Sequence, residues 1–395
     1  MLYADFNGSA PVHLDVRKYL GERLEGGPFA NPNAGHRLGV KVRGGMENCR
    51  KICADVLGAD PGQVIFNSGS TEGISHIFYS ILGSKLSLGG VREANRRDTI
   101  VISTIEHSAV YQSALYYQKK GFRVIEVSVD ESGVINMDSL KQIVEQNSDT
   151  IALVAVMAAN NETGIVQPYA EISAICGEHK IPYLCDTTQF IGKSEFNFKE
   201  SGIDYCVLSG HKIGALTGCG ILLAKRPNTL QAMICGGGQE NDLRGGTQNY
   251  IGNETLAVAL ESFSGRVSSL PKVKQCRDEF EKKIKENFPQ VIIIGDNSPR
   301  LSTTSLISFP GLVGLEVQAE LEAQGVFVTT SSACSDKNPN SSRVLSAMGI
   351  PDEIGGAVVR ISFCSEGARE CYSRAYEALS KAYTRLLESK KSINS

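Results

Sequence analysis

The chain has little that would tie it to a membrane, a metal or a nucleic acid. Its apolar residues never run to the ~20 that a bilayer-crossing helix needs, which argues against a membrane span. It carries no excess of positive charge: the formal charge is -3 and the pI near 6.1, so the basic footprint of a nucleic-acid binder is missing. Its eleven cysteines include no Cys-x-x-Cys pair and no clustered histidine, which excludes the usual zinc-ribbon spacings. There is no internal repeat and no low-complexity segment. Met1-Leu2-Tyr3-Ala4-Asp5 enters a strand-like pattern at once, without the apolar core of a signal peptide. With an odd number of cysteines this predicts reduced thiols and a cytoplasmic location. What is present is ordinary for a globular protein: 395 residues, 42% hydrophobic and 21% charged. That length supports a large core and two domains rather than one.

The first 60 or so residues are rich in Gly, Pro and Asn, and turns dominate the reading until a helix from Gly39 to Leu57. From Gln63 the pattern alternates. Strands are predicted over 63–67, 99–103, 122–126, 151–157, 181–185, 204–208 and 219–224, with helices over 72–82, 108–119, 138–146 and 169–179. Apolar strands separated by helices make this an α/β fold, a mostly parallel seven-stranded sheet sandwiched by helices. After Asn253 the texture changes. A helical region over 254–285, broken at Pro271, precedes strands over 291–294, 303–309, 326–329 and 357–362 and helices over 314–323, 341–348 and 367–389. Residues 13–253 therefore read as a large domain, and 1–12 with 254–395 as a smaller α+β one.

Ligands of open α/β sheets bind beyond the carboxyl ends of the strands, and those loops are unusually polar here. Asn67-Ser68-Gly69-Ser70-Thr71-Glu72-Gly73 offers small residues, a helix N-terminus and the hydroxyls of Ser70 and Thr71 to an anion, or is a plain helix cap. His107, in Ser103-Thr104-Ile105-Glu106-His107-Ser108, suits stacking on a ring or moving a proton, though a capping histidine is the commoner finding. Asn160 and Asn161 can read a phenolic or carbonyl oxygen, or form an Asx turn. Asp186, just past an apolar strand, needs a partner such as a pyridinium nitrogen, or is an N-cap. Lys212, in Ser209-Gly210-His211-Lys212, sits where a partly dry site would lower an amine's pKa, and Leu243-Arg244-Gly245-Gly246-Thr247-Gln248-Asn249 is another small-residue loop. Each loop alone has a bland explanation. Together they supply an anion cradle, a stacker, an oxygen partner, an acid and an amine, the complementary needs of one pyridoxal phosphate.

Two further residues stand apart. Cys334 lies in Ser331-Ser332-Ala333-Cys334-Ser335-Asp336-Lys337-Asn338-Pro339, too polar to pack and expected to be mobile. A thiol there is either an accessible nucleophile or an idle surface cysteine. Arg360 is a lone guanidinium in the apolar Val358-Val359-Arg360-Ile361-Ser362. It needs a carboxylate, from a substrate or from a structural Asp or Glu.

Taken in order, NPNAGHRLG, IFNSGSTEG, STIEHSAV, AANNETGIVQP, CDTTQFIGK, LSGHKIG, LRGGTQN, SSACS and VRIS span nearly the whole chain. They resemble the class V, fold-type-I pyridoxal-phosphate enzymes, and among them the cysteine desulfurases of the NifS and IscS type. The resemblance implies a homodimer that converts L-cysteine to L-alanine and hands the sulfur to an acceptor protein, such as an iron–sulfur scaffold or a tRNA-thiolation protein. It implies that Lys212 carries the cofactor, with His107 over the ring, Asp186 on the pyridine nitrogen, and Asn161 and Gln189 near the ring oxygen. Ser70, Thr71, Ser209 and His211 would hold the phosphate, joined by Thr247 of the neighbouring subunit. Arg360 would take the substrate carboxylate and Cys334 the sulfur. The alternative within the family is a selenocysteine lyase or another class V lyase or aminotransferase. The chain departs from the family pattern at Asp5–Pro11, at Ile213–Gly218 and at Phe363–Glu366.

Overall fold

The computed structural model describes residues 1–83, 97–330 and 342–394. Among these, seven strands form one sheet: β2 (Val64–Asn67), β3 (Thr99–Ser103), β4 (Arg123–Val127), β5 (Ile151–Ala155), β6 (Tyr183–Asp186), β7 (Tyr205–Ser209) and β8 (Gly220–Ala224), in the order β2-β8-β7-β6-β5-β3-β4. Neighbours are parallel from β7 through to β4, whereas β8 runs against both β2 and β7. The mostly parallel sheet is as expected. The reversal of β8 follows from the connection before it: residues 210–219 are too few for a parallel crossover, so the chain turns back beside β7.

Alternation along the strands divides the apolar residues between two cores. Ile100 and Ile102 face the helices Ser70–Phe78 and Ser108–Gln118, and Val101 faces the opposite side. Cys206 and Leu208 likewise point away from Val207, toward the helices Arg37–Leu57 and Tyr250–Ser264. Side chains at successive strand positions point to opposite faces, so a strand covered on both sides must be apolar throughout. β3, β5, β6, β7 and β8 are buried along their whole length.

A three-stranded antiparallel sheet, β12-β10-β9, is formed by β9 (Ile292–Ile293), β10 (Thr304–Ser308) and β12 (Val358–Ser362). It packs with the helices Leu270–Asn287, Gly314–Ala323 and Ala368–Asn394 around Phe280, Phe309, Phe363 and Tyr372. The chain begins in this part, where β1 (Leu2–Tyr3) pairs in parallel with β11 (Val326–Phe327). It then crosses to the large sheet: Asn7 N–H donates to Ser362 Oγ at 3.0 Å, and Ala10 N–H to the His211 carbonyl at 2.8 Å.

Two sequence expectations need correction. The turn-rich opening contains a helix, Leu14–Gly26, capped by His13, whose Nδ1 accepts from Asp15 N–H at 3.2 Å. Only Val16 and Arg23 of it are buried, so it shows almost no hydrophobic period to read. The helical region after Asn253 breaks at Gly265–Arg266 rather than at Pro271. Pro271 instead sits in the first turn of Leu270–Asn287, where a missing N–H leaves no helical bond unmade.

Candidate active site

The carboxyl ends of β2, β3, β5, β6 and β7 open onto a pocket of about 290 Å³, at the lower end of the range for small-molecule and cofactor sites. Ten of the residues singled out in the sequence line it: Ser70, Thr71, His107, Asn161, Asp186, Gln189, Ser209, His211, Lys212 and Arg360.

One wall is the start of the helix Ser70–Phe78. Gly69, at φ 146°, turns β2 into it, a backbone angle that favours glycine. Gly220 lets β8 pass close by, since a Cβ there would sit 2.5 Å from Gly69 Cα. Ser70 N–H donates to Ser209 Oγ at 2.9 Å, and the Ser70 and Thr188 hydroxyls are hydrogen-bonded to each other at 2.7 Å. Helix N–H groups, three hydroxyls and the nearby His211 form a donor-rich cradle suited to an anion. Glu72 also does what the bland reading required, accepting from Ser68 N–H at 2.9 Å, and Arg244 neutralises it at 2.8 Å.

Asp186 ends β6 with little exposure. Thr188 donates to its Oδ1 through both N–H, at 3.0 Å, and Oγ1. Its Oδ2 has no hydrogen-bond partner among the described residues, and the residue lines the pocket, so that oxygen is open to a cation or a donor. His107 caps the helix Ser108–Gln118, accepting from Ala109 N–H at 3.1 Å, and also faces the pocket. The capping reading is realised, and the same side chain lines the pocket. Desolvation lowers the His107 pKa, opposed by the Asp186 charge. Behind it Glu106 is fully enclosed, held by Ser103 Oγ and by Met157 N–H at 3.0 Å. Burial pushes its carboxyl up to about 8.

The opposite wall is the 3-10 turn Gly210–Lys212 and the crossing N-terminal segment. Lys212 Nζ donates to the carbonyls of Asn7 (2.8 Å) and Gly8 (2.7 Å). Gln189 Nε2 donates to the same Asn7 carbonyl at 2.9 Å. Asn7 is 1% exposed, and its Nδ2 reaches the Asn161 carbonyl at 3.2 Å and Thr304 Oγ1 at 3.0 Å. Asn160, not Asn161, makes the Asx turn: its Oδ1 accepts from Glu162 and Thr163 N–H at 2.9 and 3.1 Å. Asn161 is left to the pocket. Arg360 donates to the Asn161 carbonyl at 2.8 Å and pairs with Asp5, while its buried Nε has no partner among the described residues. The structural carboxylate that the sequence left open is thus Asp5.

The remaining two expected residues are Thr247, expected from a neighbouring subunit, and Cys334. Thr247 is exposed on the loop before the helix Tyr250–Ser264. Cys334 lies outside the described residues, but the flanks of its segment are tied beside the site. Arg360 N–H donates to the Thr329 carbonyl at 2.7 Å, and Arg343 donates to the Thr104 and Glu106 carbonyls. Asp5, Asn7, Gly8, Thr188 and Lys193 were missed as site residues. The signal for Lys193 was a lone amine after the apolar Phe190-Ile191, four residues beyond Gln189. For Asn7 and Asp5, a polar segment more than 150 residues from its partners, there was none.

Among the described residues there is no helix long and apolar enough to cross a membrane, and no group of three or more His, Cys, Asp or Glu able to hold a metal ion. A family profile described as aminotransferase class-V matches residues 2–370. A protein named cysteine desulfurase IscS from Dictyoglomus turgidum is 29% identical over 388 residues, 98% of this chain and 95% of that relative. A solved structure described as a NifS-like protein superposes with a TM-score of 0.86 at 30% identity, covering 98% of this chain and 99% of that one. Another, described as SspA in complex with cysteine, gives 0.79 at 28% identity over 92% of this chain and 99% of that one. The chain belongs to the class-V aminotransferase family, among the cysteine desulfurases of the NifS and IscS kind.

Proposed function

We propose that the protein is a pyridoxal-phosphate-dependent L-cysteine desulfurase, converting L-cysteine to L-alanine and a persulfide on Cys334. The observation that carries this reading is the convergence of Lys212, Asp186, His107, Ser70 and Arg360 on one pocket. The residues fit the cofactor. Asp186 offers the pocket a carboxylate whose Oδ2 has no partner among the described residues, a place for the cationic donor that a protonated ring nitrogen would be. The Gly69–Ser70 turn and Ser209 cradle an anion, the role of the phosphate. Thr71 and His211 extend that cradle, and Thr247 completes it from a second copy of the chain. His107 covers the ring, with Asn161 and Gln189 on its oxygen.

Bound there, pyridoxal phosphate supplies a carbonyl carbon for the substrate amine and a ring that delocalises the electron pair left at Cα. The protein's own residues do the rest. Arg360, oriented by Asp5, takes the substrate carboxylate and fixes which Cα bond faces Lys212. Lys212 Nζ removes the Cα proton. Cys334 Sγ attacks the substrate sulfur: the Sγ–S bond forms, the Cβ–S bond breaks with its electron pair retained on carbon, Cβ takes up a proton, and return of a proton from Lys212 to Cα completes alanine. The flanks of the Cys334 segment, tied to Arg360 and to the end of β3, support delivery of the thiol to this pocket. The neighbour described with bound cysteine supports the substrate. The persulfide passes to an acceptor protein of a thio-cofactor, tRNA or iron–sulfur pathway. A homodimer in the cytoplasm is the setting, supported by the free thiols of all ten cysteines among the described residues.

Incubation with cysteine should give alanine and a persulfide mapped to Cys334. The Cys334→Ala variant should keep the cofactor's visible absorbance and lose both products. Sulfide release by that variant at an undiminished rate would refute the mechanism.

A further inference from the structure

Lys193 has no part in the chemistry above, yet it is 5% exposed and stands directly behind the pocket. The turn after β6 brings it back toward Gln189, with Phe190 N–H bonded to the Thr187 carbonyl at 2.9 Å and Lys193 N–H to the Phe190 carbonyl at 3.1 Å. Its Nζ donates to Gln189 Oε1 and, at 2.7 Å, to Asn7 Oδ1. An amine has an N–H for each of two oxygens in either protonation state. Both carboxamides are therefore held oxygen toward Lys193 and NH₂ away from it. Gln189 Nε2 points to the Asn7 carbonyl, which also receives Lys212 Nζ. Rotating the Gln189 amide by 180° would set two oxygens against each other at that carbonyl.

An amine this deeply enclosed carries a desolvation penalty that an apolar side chain of similar volume would avoid. Burial, with the charges of Lys212 and Arg360, holds its pKa well below the ordinary lysine value, and Asp5 opposes them. Methionine would avoid that penalty but would leave the buried oxygens of Gln189 and Asn7 without this donor. A role in aiming the two amides explains the position directly.

We propose that Lys193 is a positioning residue that sets the hydrogen-bond polarity of the pocket wall, locking Gln189 so that its N–H, rather than its C=O, is offered to the ring oxygen of the cofactor. This rests on the reading that pyridoxal phosphate occupies the pocket. A donor on that oxygen favours its anionic form and lowers the pH at which the lysine-bound cofactor changes its visible absorbance. Without Lys193 only the Asn7 carbonyl opposes a turn of the Gln189 amide, and the donor is lost for part of the time.

The test is a pH titration of the visible band in cofactor-loaded wild type, Lys193→Met, Gln189→Leu and the double variant. Lys193→Met should raise the midpoint by about one pH unit, the worth of one hydrogen bond to a charged group. The double variant should match Gln189→Leu alone, because Lys193 acts through Gln189. Lys193→Gln, which keeps an NH₂ donor group on a shorter side chain, should fall between wild type and Lys193→Met and serves if the methionine variant folds poorly. An unchanged midpoint in both Lys193 variants, or shifts that simply add in the double variant, would overturn the inference and leave the cofactor reading standing. A wild-type protein that shows no visible band with pyridoxal phosphate would overturn both.

Discussion

Replacing Glu240 by alanine should destabilise the protein by about 3–5 kcal/mol, the cost of removing one partner from a buried ion pair. The Glu240 side chain is 1% exposed and that of Arg50 8%. Arg50 donates to Glu240 Oε2 at 2.8 Å and to Oε1 at 3.0 Å, and Phe66 N–H donates to Oε2 at 2.9 Å. Three bonds end on one carboxylate, and two of them are charge-assisted. β2 is an edge strand, so the Phe66 N–H has no strand beyond it to pair with. Alanine strands that donor and leaves Arg50 with only the half-exposed Glu47 for charge compensation. The chain contains no tryptophan, so urea unfolding of the cofactor-free protein is best followed by far-UV circular dichroism. Arg50→Met combined with Glu240→Leu should recover much of the loss, because it removes the stranded charge along with the pair. A Glu240→Ala cost below about 1 kcal/mol, or a double variant no more stable than the single one, would refute the reasoning. The same pair anchors the loop that leads to Thr247, so a cofactor-binding defect should accompany the loss of stability.

Glu106 and Arg360 make separate predictions. Burial raises the Glu106 carboxyl to about 8, so folding favours its protonated form. The stability it contributes is full below the unfolded pKa of about 4.5 and is lost as pH rises toward 8. Glu106→Gln should therefore gain on wild type by about 1.4 kcal/mol per pH unit across that window in urea unfolding, and a pH-independent difference would count against it. Arg360→Lys should raise KM for cysteine by roughly tenfold or more, through loss of a bidentate carboxylate clamp. The visible absorbance of the bound cofactor should be unchanged in that variant. An unaltered KM would remove Arg360 from substrate binding.

How much of this was legible beforehand depended on range. The seven strands of the large sheet were readable within a residue or two because each is a short run bounded by turn residues, and in all but β4, a partly exposed edge strand, burial on both faces demands apolar composition. The pocket residues were readable for a related reason: each follows the carboxyl end of a strand, where local sequence places it without help from elsewhere. The helix Leu14–Gly26 was not, since it buries too little to show a period.

By itself, then, the sequence determined the α/β class, the positions of Ser70, His107, Asp186 and Lys212 at strand ends, and a family resemblance carried by motifs along the chain. The tertiary structure decided what those residues touch. Only folding brings Asn7 against Thr304, nearly 300 positions away, pairs Asp5 with Arg360, and encloses Lys193 between two amides. The distinction is physical. Strand and helix periods, and the loops after them, are set by neighbours in the chain. The partner of a buried polar group is chosen by whichever distant segment can satisfy it once the core has closed.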